Sequence, residues 1–385
     1  MTEGERYLTV KLLIAAGGGG DAITTAMVHT ALHGDDAPAL ILTYAWERLV
    51  VDPVPGPRRR ADFTGTERIG DQVHVITPWS APIPPAGSLL PRLAADLRPA
   101  LGLIDPYEGA VGLAVQIAQA AEYCGADRID IVDVGGDVAA DGREPTLRSP
   151  LGDALVVAAC LRTGIPAAVH LAGPGLDSEV PEAVLLPRLQ APEFTLTAAH
   201  TDCVSDVFDW HPSEASALLV AAARGVQGVC GTRDAPDPVV LGPASAHVYR
   251  LSLARVLEIN RLAQALDGTA DLAEAEEVSR SVCGFSEVAR ERERARQQRA
   301  ALSSTQQEGG APDAASSYRQ FLEWEQHTAA AGIEYVTTRR FSEELGLSKS
   351  ELRALRSHLE NTAPTRSVPP LWRLRADGQP TREER

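Results

Sequence analysis

The chain has 385 residues, 44% of them hydrophobic and 23% charged, with a net charge of −16. At ~150 residues per domain this length corresponds to two or three domains, and the composition excludes disorder over most of the chain. The acidic balance argues against a general nucleic-acid binder, whose phosphate contacts need a basic face. No apolar run reaches the ~18 residues of a membrane span, so no membrane partner is expected.

Residues 1–7 are charged and lack a signal-peptide core, which points to a cytoplasmic protein. Residues 8–16 (LTVKLLIAA) read as a strand. Gly17, Gly18, Gly19, Gly20 and Asp21 follow, and a helical stretch runs over 22–32. A second strand is expected at 39–44, a stiff Pro- and Arg-containing loop at 52–60, a short strand at 73–77 and an irregular loop at 78–91. A helix at 109–125 leads to a strand at 128–134 that ends in Gly135, Gly136 and Asp137. Helix 153–163, strand 167–171, helices 180–190 and 213–225, and a strand at 239–242 continue the alternation.

Strands alternating with helices imply an α/β fold: a Rossmann-like, doubly wound, mostly parallel sheet. The last third is read as mainly α-helical, with helices at 252–266, 272–282, 286–302, 318–328 and 342–360. The expected organisation is an α/β domain over 1–260, a helical extension over 261–302, a linker over 303–317, a small helical region over 318–375 and a flexible tail over 376–385.

Five cysteines (Cys124, Cys160, Cys203, Cys230, Cys283) are odd in number and form no CxxC pair, so each reads as a small apolar residue. Lysine occurs only at Lys11 and Lys349, so an anion would be gripped by arginine or by backbone N–H groups.

The glycine-rich turn after the first strand suits a phosphate, since glycines let the backbone approach and the next helix aims its free N–H groups outward. No GK[ST] follows, so it is not a Walker A loop. Arg48 and Arg58, in and after WER, could compensate charge, as could Arg148. The densest group is Asp133, Gly135, Gly136, Asp137 and Asp153 around the end of one strand. Ligands of open α/β sheets bind beyond such ends. Asp133, Asp137 and Asp153 are the candidate catalytic carboxylates, and Asp133 with Asp137 could hold a hard cation such as Mg²⁺. Asp177 and Glu179 add acid at a similar edge. His170 reads as a satisfied core residue. His200 and His211 lack metal-site spacing. Residues 339–359 have a helix-turn-helix outline with Lys349, Arg353 and Arg356 on the second helix.

Taken together, GGGGD (17–21), WER (46–48), DPVPGPR (52–58), DVGGD (133–137), REPTLRSPLGD (143–153) and GLDSE (175–179) resemble the archaeal and bacterial domain-of-unknown-function family numbered eleven fifty-two, over roughly residues 8–260. Family members usually read GLDGE or similar where this chain has Ser178. The resemblance marks residues to watch and implies no reaction.

The reading favoured is an enzyme that acts on a nucleotide, sugar phosphate or similar anionic metabolite by hydrolysis or group transfer, with oligomerisation open. Redox chemistry is disfavoured because no acidic residue ends the second strand. The alternative is a non-catalytic metabolite sensor that signals through its C-terminal helices. Deletion after Ser303 is expected to spare an enzyme's core activity and to silence a sensor.

Overall fold

A computed structural model describes residues 10–235, 237–304 and 314–375. Residues 8 and 9 of the first expected strand lie outside the described residues, as do most of the 303–317 linker and the 376–385 tail.

The first layers follow the expected alternation: β1 (Lys11–Gly18), α1 (Asp21–His33), β2 (Ala39–Tyr44), β3 (His74–Ile76), α2 (Leu90–Asp96), β4 (Ala100–Ile104), α3 (Gly109–Cys124), β5 (Ile129–Val134), α4 (Leu151–Thr163) and β6 (Ala167–Ala172). Then come α5 (Glu214–Ala223), β7 (Gly228–Gly231), β8 (Val239–Leu241), β9 (His247–Ser252), α6 (Leu253–Ile259), α7 (Arg261–Ala265), α8 (Leu272–Cys283) and α9 (Glu287–Ser304). The chain closes with α10 (Ala314–Ala330), β10 (Tyr335–Thr337), α11 (Thr338–Glu344), α12 (Lys349–Thr362) and β11 (Leu371–Arg373).

Five parallel strands form the centre in the spatial order β6-β5-β1-β2-β4. Antiparallel β9 and β3 extend the two sides. The order runs outward in both directions from β1 and β5, so the sheet is doubly wound, with its switch point between those two strands. Alternate β1 residues serve both faces: Leu12, Ile14 and Ala16 pack under α3, α4 and α8, while Leu13 and Ala15 pack under α1, α2 and α5. A strand buried on both faces must be apolar along its whole length, which is why β1 carries no polar alternation.

Some elements differ from the sequence reading. The helix α2 begins within the loop expected at 78–91, and β4, β7, β9 and β10 were not expected. The helix expected at 180–190 shrinks to Glu182–Leu185 and a 3-10 turn. The helix expected over 252–266 breaks at Asn260, whose side chain caps α7 by accepting from Ala263 N–H (2.8 Å) and donates to Val138 O (3.1 Å). The helix expected over 342–360 is likewise divided, at Gly346 (φ +63°).

The C-terminal part is mainly helical, but it also contributes strands. A second sheet runs β8-β7-β10-β11, and β7 pairs in parallel with β10 through Cys230↔Tyr335 and Gly231↔Val336. Phe321, Phe341, Leu355, Leu359 and Trp372 fill a separate small core beneath it. Buried Glu214 of α5 accepts from Thr337 Oγ1 and from Arg233 N–H (2.8 Å), tying the two sheets together. In the helix-turn-helix outline, Arg356 points back at Asp209 (2.7 Å), while Lys349 and Arg353 face solvent. No helix of the described residues is long and apolar enough to cross a membrane.

A chain ending at Ser303 would leave β7 paired only with β8, without β10, and Glu214 without Thr337. At about 3 kcal/mol for those losses together, its thermal midpoint is expected roughly 4–5 °C below that of the full chain in a calorimetric scan.

Candidate functional site

A cavity of about 510 Å³ opens at the switch point. β1 and β5 deliver its two inner edges. The turn 17–20 brings α1 directly off β1, and packing rather than ligand contact accounts for two of its glycines. A Cβ on Gly18 would lie 2.6 Å from Trp46 O, and one on Gly20 would lie 2.0 Å from Ser213 Oγ. Asp21 is the first residue of α1 and accepts from Gly17 N–H (2.9 Å), which curls the turn over the helix end. The N-terminal end of α1 therefore lines the cavity, with Gly17, Gly18, Gly19, Gly20 and Asp21 along it.

Opposite stands a floor of carboxyls. Asp133, near the end of β5, is 2% exposed and accepts weakly from Val138 N–H (3.4 Å). Asp137 begins a 3-10 turn, and Asp153 sits in the first turn of α4. Both are buried, and each keeps one carboxyl oxygen (Oδ1) with no hydrogen-bond partner. Asp177, in the turn after β6, accepts from Glu179 N–H (2.9 Å). Gly135 and Gly136 do not line the cavity. They let it form: a Cβ on Gly135 would strike the Asp177 carboxyl at 2.1 Å, and one on Gly136 would strike Leu185 at 2.4 Å.

Loss of water on burial is the largest influence on these acids, and their mutual repulsion adds to it. It raises Asp137 and Asp153 well above the ordinary carboxylate range, with Asp21 raised by the same two effects. Asp133 is pushed up to about 7 and Asp177 to about 8. Glu287, at the start of α9, is raised likewise beside the same floor.

Glu179 has a different task. It accepts from Arg148 N–H (2.6 Å), Ser149 N–H (2.8 Å) and Ser149 Oγ (2.5 Å), and so clamps the turn that precedes α4. The Arg148 guanidinium bonds Asp177 O (2.9 Å), Ser178 Oγ (3.0 Å) and Asp234 O (3.1 Å). Ser178 holds the left-handed conformation (φ +63°), alone among non-glycine residues described. Glycine is the residue that the resemblance leads us to expect there, and Ser178 Oγ accepts from Arg148 (3.0 Å).

The outer wall is basic. Arg48 pairs with Asp234, and Arg339 of α11 reaches Asp234 (2.7 Å), Glu343 (2.6 Å) and Glu214 (3.6 Å). Burial would raise Asp234, but Arg48 and Arg339 hold it below the usual carboxylate range. His211 adds a neutral donor. Ser213 N–H donates to its Nδ1 (3.2 Å), which places the ring proton on Nε2, a buried atom without a hydrogen-bond partner in a residue that lines the cavity. Burial, with Arg48 adding to it, pushes the imidazole down to about 3. Arg58 is not brought to the site: it is buried in its own loop on Asp52 (3.1 Å) and the carbonyls of Val54, Pro55 and Gly56.

The site thus gathers Gly17 to Asp21, Arg48, Asp133, Asp137, Arg148, Asp153, Asp177 and Glu179, and leaves out Arg58, Gly135 and Gly136. Sequence reasoning did not assign Glu47, His211, Glu287 or Arg339 to it. Glu47 lies within the WER motif and Glu287 within the charged run at 286–302, whereas His211 and Arg339 carried no such signal. Because Arg339 and Glu343 come from the C-terminal part, deletion after Ser303 removes a wall of the cavity. It therefore cannot separate an enzyme from a sensor, contrary to the expectation from sequence. The expected roles of the other histidine and the cysteines are simpler to place: His170 is fully buried between Asp130 (3.2 Å) and Glu193 (3.0 Å), and none of the five cysteines is paired.

A family model, "Protein of unknown function (DUF1152)", matches residues 12–295. The chain belongs to that family. The matched span takes in the glycine turn, the whole carboxyl floor and the Glu287 end of α9, and stops short of Arg339. No curated protein and no solved structure matches the chain.

Glu47 gives a test of the cavity's electrostatics. It is 6% exposed and accepts from Leu89 N–H (2.8 Å) and Ser88 Oγ (3.3 Å), yet burial outweighs both and pushes it up to about 7. The folded chain therefore holds this proton more tightly than the unfolded chain, whose value is the ordinary 4.5. The resulting stabilisation is complete below 4.5 and is lost as pH rises through about 7. Glu47→Gln keeps the acceptor and cannot ionise. It is expected to exceed the wild type in stability by up to about 3 kcal/mol at pH 8 and to lose that advantage at pH 4, as read by denaturant unfolding.

Proposed function

We propose that this protein is an enzyme that hydrolyses, or transfers a group from, a nucleotide, phosphosugar or similar anionic metabolite. One observation carries the reading: a single cavity at the switch point has arginines on one wall and buried, unpartnered carboxyl oxygens on the other. Such a division suits a ligand with an anionic end and a hydroxyl-bearing or electrophilic end.

In this reading the anionic group lies against Arg48, Arg148 and Arg339 and the N-terminal end of α1, where guanidinium forks and backbone N–H groups share its charge. His211 Nε2–H donates to the same end without adding charge. Asp177 accepts from a sugar hydroxyl. Asp137 is the general base. Its Oδ1 lacks a protein partner, and burial with the neighbouring carboxylates raises its affinity for a proton, which strengthens it as a base. It takes the proton of a water or acceptor hydroxyl as that oxygen bonds to the electrophilic centre, while the bond from that centre to the leaving group breaks and the leaving group departs with the electron pair and takes up a proton from solvent.

A thermal-shift panel of nucleotides and sugar phosphates tests binding. A ligand at 100 times its Kd stabilises the fold by ~2.7 kcal/mol. Mass spectrometry of each binder after incubation then tests turnover. Asp137→Asn is expected to lower kcat by at least ~10² with the fold and binding retained. Arg48→Ala is expected to raise KM about tenfold. A binder that returns unchanged from the wild type would replace the enzyme with a sensor, and undiminished turnover by Asp137→Asn would remove the assigned base.

A further inference from the structure

The cavity lining holds twelve carboxyl side chains against five guanidinium groups, so an anionic ligand alone would deepen an existing excess of negative charge. The arginines do not relieve the floor. Arg48 and Arg339 are engaged with Asp234, Glu214 and Glu343, and Arg148 with Glu179 and the 177–178 turn. Among the described residues no arginine or lysine forms an ion pair with Asp21, Asp133 or Asp153.

These three come from three separate elements: the first turn of α1, the end of β5 and the first turn of α4. One oxygen of each lies within 4.8 Å of one from both others. Oxygens around a divalent ion with metal–oxygen bonds of ~2.1–2.4 Å stand about 3–4.8 Å apart, depending on whether they are adjacent or opposite. A second observation is independent of that spacing. Asp153 Oδ1 is without any hydrogen-bond partner in a side chain only 3% exposed, and so is Asp137 Oδ1 in one 5% exposed. A buried acceptor left bare costs stability unless a ligand fills the position.

We infer that Asp21, Asp133 and Asp153 form a binding site for one hard divalent cation of the Mg²⁺ or Mn²⁺ type. All three donors are oxygens, and three protein ligands leave the remaining positions to water and to a ligand oxygen, the usual economy of Mg²⁺ sites. Asp137 stands beside the ion as an acceptor for one of its waters. The cation site stands on its own geometry; only its pairing with a phosphate oxygen rests on the function proposed above.

Titration of the full-length protein with Mn²⁺, followed by the electron paramagnetic resonance signal of free Mn²⁺ and with no metabolite present, reads the site directly. One bound ion per chain is expected in the wild type, displaced by excess Mg²⁺. Asp153→Asn is expected to weaken binding at least 100-fold and to remain folded, since it relieves a like-charge contact. Asp133→Asn supplies the same test if circular dichroism shows Asp153→Asn unfolded. Asp137→Asn, which removes an acceptor for a metal-bound water but none of the three ligands, is expected to weaken Mn²⁺ binding less than either ligand variant.

No bound Mn²⁺ at millimolar concentration, or unchanged binding in both ligand variants, overturns the site. Bound Mn²⁺ without conversion of any metabolite leaves the site standing and counts only against the proposed reaction. Turnover that persists in EDTA, with no Mn²⁺ bound, does the reverse.

Discussion

Two neighbouring parallel strands whose following helices leave toward opposite faces must part at their carboxyl ends, and the structure grows from that parting. After β1 the chain goes to α1 on one face; after β5 it goes to the 3-10 turn and α4 on the other. The gap is a consequence of connection order, not of any one side chain. What the sequence adds is its lining. The turns that leave the two strands are short and glycine-rich, so carboxyls at 21, 133, 137 and 153 enter one small volume from several directions.

Holding that many acids together has to be compensated, and the compensation is visible in the loops. The Glu179 carboxylate collects three donors from residues 148 and 149, and Gly175 N–H closes onto Gly135 O (2.6 Å). Asn260 ties the 137–139 turn to α7, and Tyr44 Oη donates to Gly152 O (3.0 Å) at the start of α4. These bonds carry no chemistry themselves. They fix the backbone from which Asp133, Asp137 and Asp153 project, so that repulsion among the acids raises their pKa values instead of opening the turns.

The α/β core was legible in the sequence because its signals are local. An apolar run of strand length followed by glycine marked β1 and β5, and their turns marked the site. The strand β4 was missed because ALGLI is short and follows a helix, α2, that starts among prolines. β7 is a four-residue stretch with a glycine at each end, and β9, although Tyr249, Arg250, Leu251 and Ser252 alternate, runs straight into the helix at Leu253. Arg58 looked equivalent to Arg48 in sequence. Only its burial against Asp52 and three carbonyls distinguishes a loop brace from a cavity wall. Arg339 could not be found at all, since its partners Glu214 and Asp234 lie more than a hundred residues away in the chain.

The parallel pairing of β7 with β10 sets an order of events during synthesis. The chain emerges from its N-terminus, and domains begin to fold as they appear. The acidic floor is encoded by residue 177, yet the last arginine of the basic wall, Arg339, waits for β10 and α11, past residue 335. A nascent or prematurely terminated chain therefore carries the acids with Arg48 and Arg148 but without Arg339, and only a nearly finished polypeptide presents the complete cavity.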